Sequence, residues 1–421
     1  MSQTIMASAI FIFCYILIAT DKGHRTVVAL AGAMVMLLLN VIDQNSAFRA
    51  IDLNTIFLLV GMMTIVNITK TTGLFQYLAV KSAKVTRGNP MMILILFSVI
   101  TAVLSAFLDN VTTIMLIAPV TLVIVDSLGL HPVPFLISEV VASNMGGVAT
   151  LIGDPPNIMI GSAAGLGFSS FAANLIPVVI LCLMAFVLTV RFLFAKELHV
   201  FPELKEMLIS MDERKAITDK GLLRKSLFVI GLVMFCFLFH ERWGIQPATI
   251  ALSGALLLLI LAKSDPEEVF MKVDWSIVFF FIGVFILVGA IEKVGVMNML
   301  SYKLLSATKG NAVMTSMVVL WFSTLASGIF DNIPFTAMMI PLVKQLGAHV
   351  PIAPLWWSLA LGSGFGGNAT LIGSSANIVV VSILNKEGYP IKFKSFLKYG
   401  IIFVTETLII SSAYVYLRYL R

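Results

Sequence analysis

Hydrophobic residues run along this chain in long blocks separated by short polar turns. Many blocks reach the ~17–25 residues that cross a ~30 Å hydrocarbon core. The pattern predicts spans at 4–20, 26–42 and 53–69, then a segment carrying Lys70, Lys81, Lys84 and Arg87 whose middle, TGLFQYLAV, can lie along the interface. Next come 35 apolar residues, Met91 to Val125, with Asp109-Asn110 at their centre. One straight helix of that length would measure ~52 Å, too long for a bilayer. Two full spans joined by an acidic outer turn are one solution. The better one is a re-entrant helical hairpin, 91–125, whose tip Asp109, Asn110, Val111, Thr112 and Thr113 stops at mid-depth.

A span at 134–163 follows, and it contains the stretch around which the rest is organised, ASNMGGVATLIGDPPNIMIG. Gly146, Gly147 and Gly153 loosen its backbone, and Pro155-Pro156 removes two amide donors, so no plain helix runs through it. In hydrocarbon such a break survives only inside protein or beside a water-filled cavity. Broken helices at membrane depth are where transporters hold ions and substrates. After a span at 174–194 and a long polar loop at 195–225, the pattern starts again. Spans lie at 226–240, 246–262 and 275–291, a hairpin at 312–345 with tip Asp331-Asn332-Ile333-Pro334, a broken span at 354–382 and a last span at 396–417.

The second half is a copy of the first. Asp274, Asp331-Asn332 and Pro341 each follow Asp52, Asp109-Asn110 and Pro119 by 222 positions, and a constant offset over so long a stretch is an internal duplication. GGNATLIGSSAN returns the break motif: Thr150, Leu151, Ile152, Gly153 and Asn157 recur as Thr370, Leu371, Ile372, Gly373 and Asn377. The expectation is an all-α polytopic membrane protein of two inverted repeats, residues 1–194 and 226–421, joined by a cytoplasmic linker at 195–225. Each repeat has five transmembrane helices and one re-entrant hairpin, about ten crossings and two hairpins in all, with helices broken at the midplane. Five is odd, so the second repeat is inverted, and the two tips, entering from opposite sides, can meet.

Composition fits this reading. The 421 residues are 59% hydrophobic and 12% charged, against about 25% charged in a soluble chain, and mean hydropathy is +1.00. The formal charge of +6 need not mean nucleic acid, because Lys and Arg are spread over loops. With the first loop inside, Lys22, Arg25, the 70–87 cations, the central loop, Lys263, Lys272 and the 386–398 lysines share one side. Arg49, Arg242, Lys293, Lys303, Lys309, Lys344, Arg418 and Arg421 occupy the other. That asymmetry satisfies the positive-inside rule and predicts both termini outside. Cys14, Cys182 and Cys236 lie far apart in apolar spans, so small buried side chains are the simple reading. No signal peptide is evident before the first span.

The candidate site is where two tips and two breaks converge. The tips supply Asp109, Asn110, Thr112, Thr113, Asp331, Asn332 and Thr336. The breaks supply Gly147, Thr150, Gly153, Asp154, Asn157, Gly367, Asn368, Thr370, Ser374, Ser375 and Asn377. These hard oxygen and amide groups suit small hard cations and oxyanions, with Na⁺ a possible occupant, and not soft metals. Helix ends at such breaks offer N–H groups to anions and carbonyls to cations. Asp154 aligns with Ser374, so only the first break carries an acid. An intramembrane carboxylate without a partner is costly to ionise, which suits proton coupling. The tip acids have a blander reading as helix N-caps, and the glycines as close-packing positions. Glu139 and Glu406 stand inside apolar spans, either as proton carriers or snorkelling at an interface. No P-loop is present, so this chain hydrolyses no ATP, and no nucleophile–base set suggests an enzyme.

FLDNVTTIMLIAPVT, SEVVASNMGGVATLIGDPPNIMIG, IFDNIPFTAMMIPLV and GGNATLIGSSANIVV together resemble the ion transporter superfamily. The likeness is strongest to the branch joining arsenite permeases, D-type sodium/proton antiporters and the melanosomal P protein, and it extends more faintly over nearly the whole chain. The resemblance implies a scaffold and a mobile transport domain in an elevator-like carrier, often a homodimer, with tips and breaks as the site. It implies no cofactor, a coupling ion that is H⁺ or Na⁺, a lipid bilayer around the protein, and a separate ATPase subunit if the chain is an arsenite pump. In the related dicarboxylate/sodium branch Ser-Asn-Thr motifs occupy the tips. Asp-Asn here adds negative charge and argues against a di- or tricarboxylate. The function expected is secondary active transport, ion- or proton-coupled, exporting arsenite, antimonite or a related small inorganic ion from a prokaryotic inner membrane. Na⁺/H⁺ exchange is the second reading, and a carboxylate transporter or passive anion channel follows it.

Overall fold

The computed structural model describes residues 3–20, 23–195, 198 and 213–421, and every regular element among them is helical. The first repeat contributes α1 (Gln3–Ala19), α2 (Arg25–Leu38), α3 (Gln44–Ala50), α4 (Leu53–Lys70), α5 (Leu74–Val85), α6 (Pro90–Ser105), α7 (Asn110–Ser127), α8 (Val133–Val148), α9 (Pro155–Ala164) and α10 (Phe168–Phe194). The second contributes α11 (Lys220–Trp243), α12 (Pro247–Ala262), α13 (Pro266–Met271), α14 (Trp275–Lys293), α15 (Val296–Thr308), α16 (Ala312–Ser327), α17 (Asn332–Leu346), α18 (Ile352–Gly366), α19 (Ser375–Lys386) and α20 (Phe393–Val415). Each element has its mate ten places on.

The mates are built by the same local chemistry. Asp43, Asp52 and Asn89 cap α3, α4 and α6 through their side-chain oxygens, and Asp265, Asp274 and Asn311 cap α13, α14 and α16 in the same way. Gly73 and Gly295 enter α5 and α15 at φ 78° and 80°, a left-handed turn that glycine makes without strain. Packing is reciprocal too. The backbone at Ala251 lies close against Gly61 of α4, and the backbone at Ala29 lies close against Gly283 of α14. So α4 packs on α12 and α14 on α2, each repeat lending a helix to the other. Within each repeat α6 lies along α8 and α16 along α18. Between repeats α7 meets α19, and α17 meets α9.

Three sequence expectations need adjustment. Among the described residues, six helices are long and apolar enough to cross a membrane, α4, α7, α10, α11, α14 and α20 with its C-terminal turn. The other predicted crossings are shorter helices or pairs of half-helices. The span expected at 26–42 ends at Leu38, because Asn40 turns to φ 53° and stops the helix. The linker expected at 195–225 ends earlier: Asp219 caps α11, so Lys220, Arg224 and Lys225 are helical. Before it, residues 213–216 form a 3₁₀ turn, and Thr218 donates its N–H to Thr72 O and its hydroxyl to Thr71 O. Lys22, Lys196 and Lys205 lie outside the described residues.

Candidate transport site

Both predicted breaks exist, at residues 149–154 and 367–374, between α8 and α9 and between α18 and α19. Each is tied to the hairpin of its own repeat. Thr150 Oγ1 donates to Ala106 O, and Thr370 Oγ1 donates to Gly328 O at 2.6 Å. Each is also filled by an asparagine amide. Asn157 Nδ2 faces the carbonyls of Gly147, Val148 and Thr150 at 2.8–3.3 Å, and Asn377 Nδ2 those of Gly367 and Thr370 at 2.8 and 2.7 Å. A break in hydrocarbon frees backbone carbonyls, and these amides satisfy them. Gly153 and Gly373 complete the frame. A side chain at either would strike carbonyl oxygens of the facing segment, Gly147 and Ser105 in one repeat, Gly367 and Ser327 in the other.

The N-termini of α7, α9, α17 and α19 converge on one cavity of about 290 Å³. Its wall includes Asp109, Asn110, Asp154, Asn332, Ser374 and Arg25. Asp154, 1% exposed, is the point where the repeats meet. Asn332 Nδ2 donates to its Oδ2 at 3.0 Å, and Asn110 Nδ2 lies 3.5 Å from its Oδ1, the long end of a hydrogen bond. Asn144, one turn before the first break, links both repeats. Its Oδ1 accepts from Asn110 at 3.0 Å and from the Ser374 hydroxyl at 3.1 Å. Its Nδ2 donates to Asn368 Oδ1 at 2.8 Å and Asn377 Oδ1 at 3.1 Å.

The tip acids cap their helices, as the bland reading had it: Asp109 accepts from Thr112 N–H and Asp331 from Ile333 N–H. They differ in their second partners. Asp331 Oδ2 is ion-paired with Arg25 Nη1 at 2.7 Å and accepts from Ser375 Oγ at 2.8 Å. Asp109 makes no ion pair among the described residues. It lines the 290 Å³ cavity and also an adjoining one of about 670 Å³ with Lys70, Lys272, Asp274 and Thr112.

Of the predicted residues, then, Asp109, Asn110, Asp154, Asn332, Ser374 and Ser375 face the cavity, with Asp331 bonded to its wall. Gly147, Thr150, Gly153, Asn157, Gly367, Asn368, Thr370 and Asn377 hold the breaks in shape. Thr113 bonds back to Asp109 O, and Thr336 is fully buried with no hydrogen-bond partner for its hydroxyl. Two residues escape the sequence reading. Arg25 counts there as a loop cation, yet it opens α2, a helix of 14 residues. That is about 21 Å, short of a ~30 Å core, so its N-terminus can sit within the membrane. Asn144 lies in the organising stretch itself but has Gly364 as its mate, so the repeat comparison passes over it. Among the described residues no three His, Cys, Asp or Glu side chains group as a metal site.

The geometry has counterparts elsewhere. A model of the citrate transporter family matches residues 15–362. An uncharacterized transporter of Mycobacterium tuberculosis is 43% identical over 425 residues, covering 99% of each chain. The P protein of Homo sapiens is 34% identical over 486 residues, which take in 95% of this chain and 58% of that protein. The crystal structure of the Alcanivorax borkumensis YdaH transporter, described as having an unusual topology, superposes with a TM-score of 0.62 at 12% identity. It covers 93% of this chain and 98% of its own.

Proposed function

The chain belongs to the citrate transporter family of membrane transporters, and from that premise we propose a proton-coupled secondary carrier that exports arsenite, antimonite or a related small inorganic solute. One observation carries the coupling: the buried Asp154 carboxylate takes a hydrogen bond from Asn332 at the tip of the other repeat and faces Asn110 at the tip of its own. A carboxylate at such depth is costly as an ion and cheap as an acid. Loading a proton on it removes a charge from the wall of the cavity and weakens its hold on Asn332. That is a local event able to bias the packing of one repeat against the other.

The cargo follows from charge. With its proton released, Asp154 joins Asp109 and Asp331 against one guanidinium and four helix N-termini, each equivalent to about +0.5 charge, so the site is then close to neutral. A neutral trihydroxide such as As(OH)₃ needs no more, and the hydroxyl and amide groups around Asp154 can bond it. A citrate-like cargo needs spare positive charge, whereas Arg25 is already committed to Asp331. The reciprocal packing of the repeats supports an inverted arrangement with hairpins entering from opposite sides. In it the 670 Å³ cavity beside Lys70 and Lys272 is the inner vestibule. Na⁺/H⁺ exchange is the second reading, favoured by Asp109 lying between two cavities without a basic partner.

A pump-deficient bacterial host expressing the chain tests this directly. Growth rescued on arsenite and antimonite, but not on Na⁺ or Li⁺, is the expected result. Rescue by the alkali cations alone replaces the first reading with the second. Counterflow in proteoliposomes separates carrier from channel, because a channel shows no accelerated exchange.

A further inference from the structure

We propose that Glu139 is a second proton-binding site, separate from the cavity and belonging to the first repeat alone. Glu139 sits in the middle of α8 and is 1% exposed. Its Oε1 accepts from the Thr121 hydroxyl of α7 at 2.6 Å, and its Oε2 has no hydrogen-bond partner. An ionised carboxylate buried this way, with one bare oxygen and no cation paired to it among the described residues, is a costly species. The neutral acid, with its proton on Oε2, is the form this surrounding accepts.

The pair is not there for packing. Thr121 corresponds to Val343 at the 222-position spacing of the hairpins, and Glu139 to Leu359 at the 220-position spacing that relates Asn157 to Asn377. Val343 and Leu359 are both fully buried. The second repeat therefore closes the same helix–helix seam with aliphatic side chains, and a polar pair could be replaced there at little cost. What the first repeat gains is a titratable group.

Polar groups lie near the pair on two sides. Pro119 and Leu122 of α7, on either side of Thr121 in sequence, line a cavity of about 350 Å³ with Asp126, Glu387 and Tyr389, which brings polar space up to this arm. Toward the break, Ser143 lies four residues further along α8 on the same face, its Cβ ~5–6 Å from that of Glu139. Ser143 Oγ bonds Ser105 Oγ at 3.1 Å and Asn110 O at 3.3 Å, and Asn110 belongs to the cavity. Glu139 thus stands one helical turn from a polar string that runs from Ser143 through Asn110 to Asp154.

The titratable side chains on the helices packed around α8 are few. The helices α6, α9 and α18 carry none. Asp126 ends α7, Cys182 and Arg191 are on α10, Lys386 is on α19, and Lys394, Lys398, Tyr399, Glu406 and Tyr414 are on α20. None has a hydrogen bond or ion pair to Glu139, whose one bonded neighbour among the described residues is Thr121. Glu406 instead takes a bond from Thr189 at 3.1 Å.

The test is infrared spectroscopy of the full chain in lipid, over a pH series from mildly acidic to alkaline. Wild type is compared with Glu139→Gln and with the doubly aliphatic Thr121→Val/Glu139→Leu, which copies the second repeat and protects against simple misfolding. We expect a protonated-carboxyl band that both variants lose and that fades in wild type as pH rises. The inference rests on the proton-coupled reading only for when the proton moves. A second arm therefore measures protons moved per arsenite in proteoliposomes and expects a lower ratio in Glu139→Gln, with arsenite binding retained. A spectrum unchanged by Glu139→Gln, or a Glu139 band that does not respond to pH, overturns the proposal. If arsenite moves no protons in wild type, the transport reading falls while the infrared arm still decides the state of Glu139.

Discussion

The two repeats agree where the backbone must be held and disagree where charge is placed. Thr150 and Thr370, Asn157 and Asn377, Gly153 and Gly373 do the same work in each half, tying a broken helix to its hairpin and filling the freed carbonyls. The unmatched positions are the polar ones at the cavity and behind it. Asp154 stands opposite Ser374, Asn144 opposite Gly364, Arg25 opposite Pro247, and the Thr121–Glu139 pair opposite Val343 and Leu359. Duplication supplies a frame with its own approximate symmetry, and the proposed transport chemistry rests on departures from it. A symmetric frame suits alternation between two faces, and Asp154 is the one break acid without a counterpart in the other repeat.

The comparison can be broken at its ion pair first. Arg25→Gln leaves the Asp331 carboxylate buried without its cation, and removing one member of such a pair costs about 3 kcal/mol. Adding Asp331→Asn should restore most of that loss. Chemical unfolding in detergent, run as a double-mutant cycle, reads it out, and additive losses would show that the pair is not coupled.

A smaller effect should be shared equally. At Gly146 an added Cβ runs into the Ala102 backbone, and at Gly366 it runs into Thr324. Gly146→Ala and Gly366→Ala should each destabilise by about 1–3 kcal/mol through overpacking. A large cost in one half and none in the other would mean that the frames are not equivalent.

The smallest effect lies outside the membrane. The Lys293 ammonium, 2.7 Å from Asp43, and the Ser46 hydroxyl hold the Asp43 carboxyl well below the usual carboxylate range. Any stability from that pair is present above the unfolded carboxylate's pKa, ~3.9, and disappears as pH falls through the lower folded value. Asp43 is exposed, so solvent screening keeps the contribution slight. Asp43→Asn keeps the helix cap and should lower the melting temperature slightly at neutral pH but not in strong acid. The mate substitution, Asp265→Asn, also keeps a helix cap and breaks no ion pair among the described residues, so it should leave the neutral-pH melting temperature nearly unchanged.

What the sequence revealed follows the same division. Hydrophobic blocks, the 222-position spacing and the Gly-Pro punctuation are local or periodic signals, and from them follow the paired helices, the breaks and the convergence of two tips with two breaks. Helix lengths are less legible, because the left-handed turn at Asn40 stops α2 after 14 residues where a full span is expected. Arg25 was hidden by its neighbours: in a basic turn it looks like a topological signal, and only the fold brings it to Asp331, 306 positions away. Asn144 was hidden by the repeat itself, since a comparison of copies draws the eye to what is shared. Thr150, Asn157 and their mates were found but turn inward, where they satisfy the break and do not line the cavity.

The central claim is that Asp154 couples cargo to protons, and Asp154→Asn tests it most directly. The variant keeps a side chain that can bond to Asn332 and cannot ionise. In proteoliposomes loaded with arsenite, a pH gradient should drive uphill movement by wild type and not by the variant, while arsenite–arsenite exchange survives in both. Uphill, pH-driven transport that persists undiminished in Asp154→Asn would contradict the account.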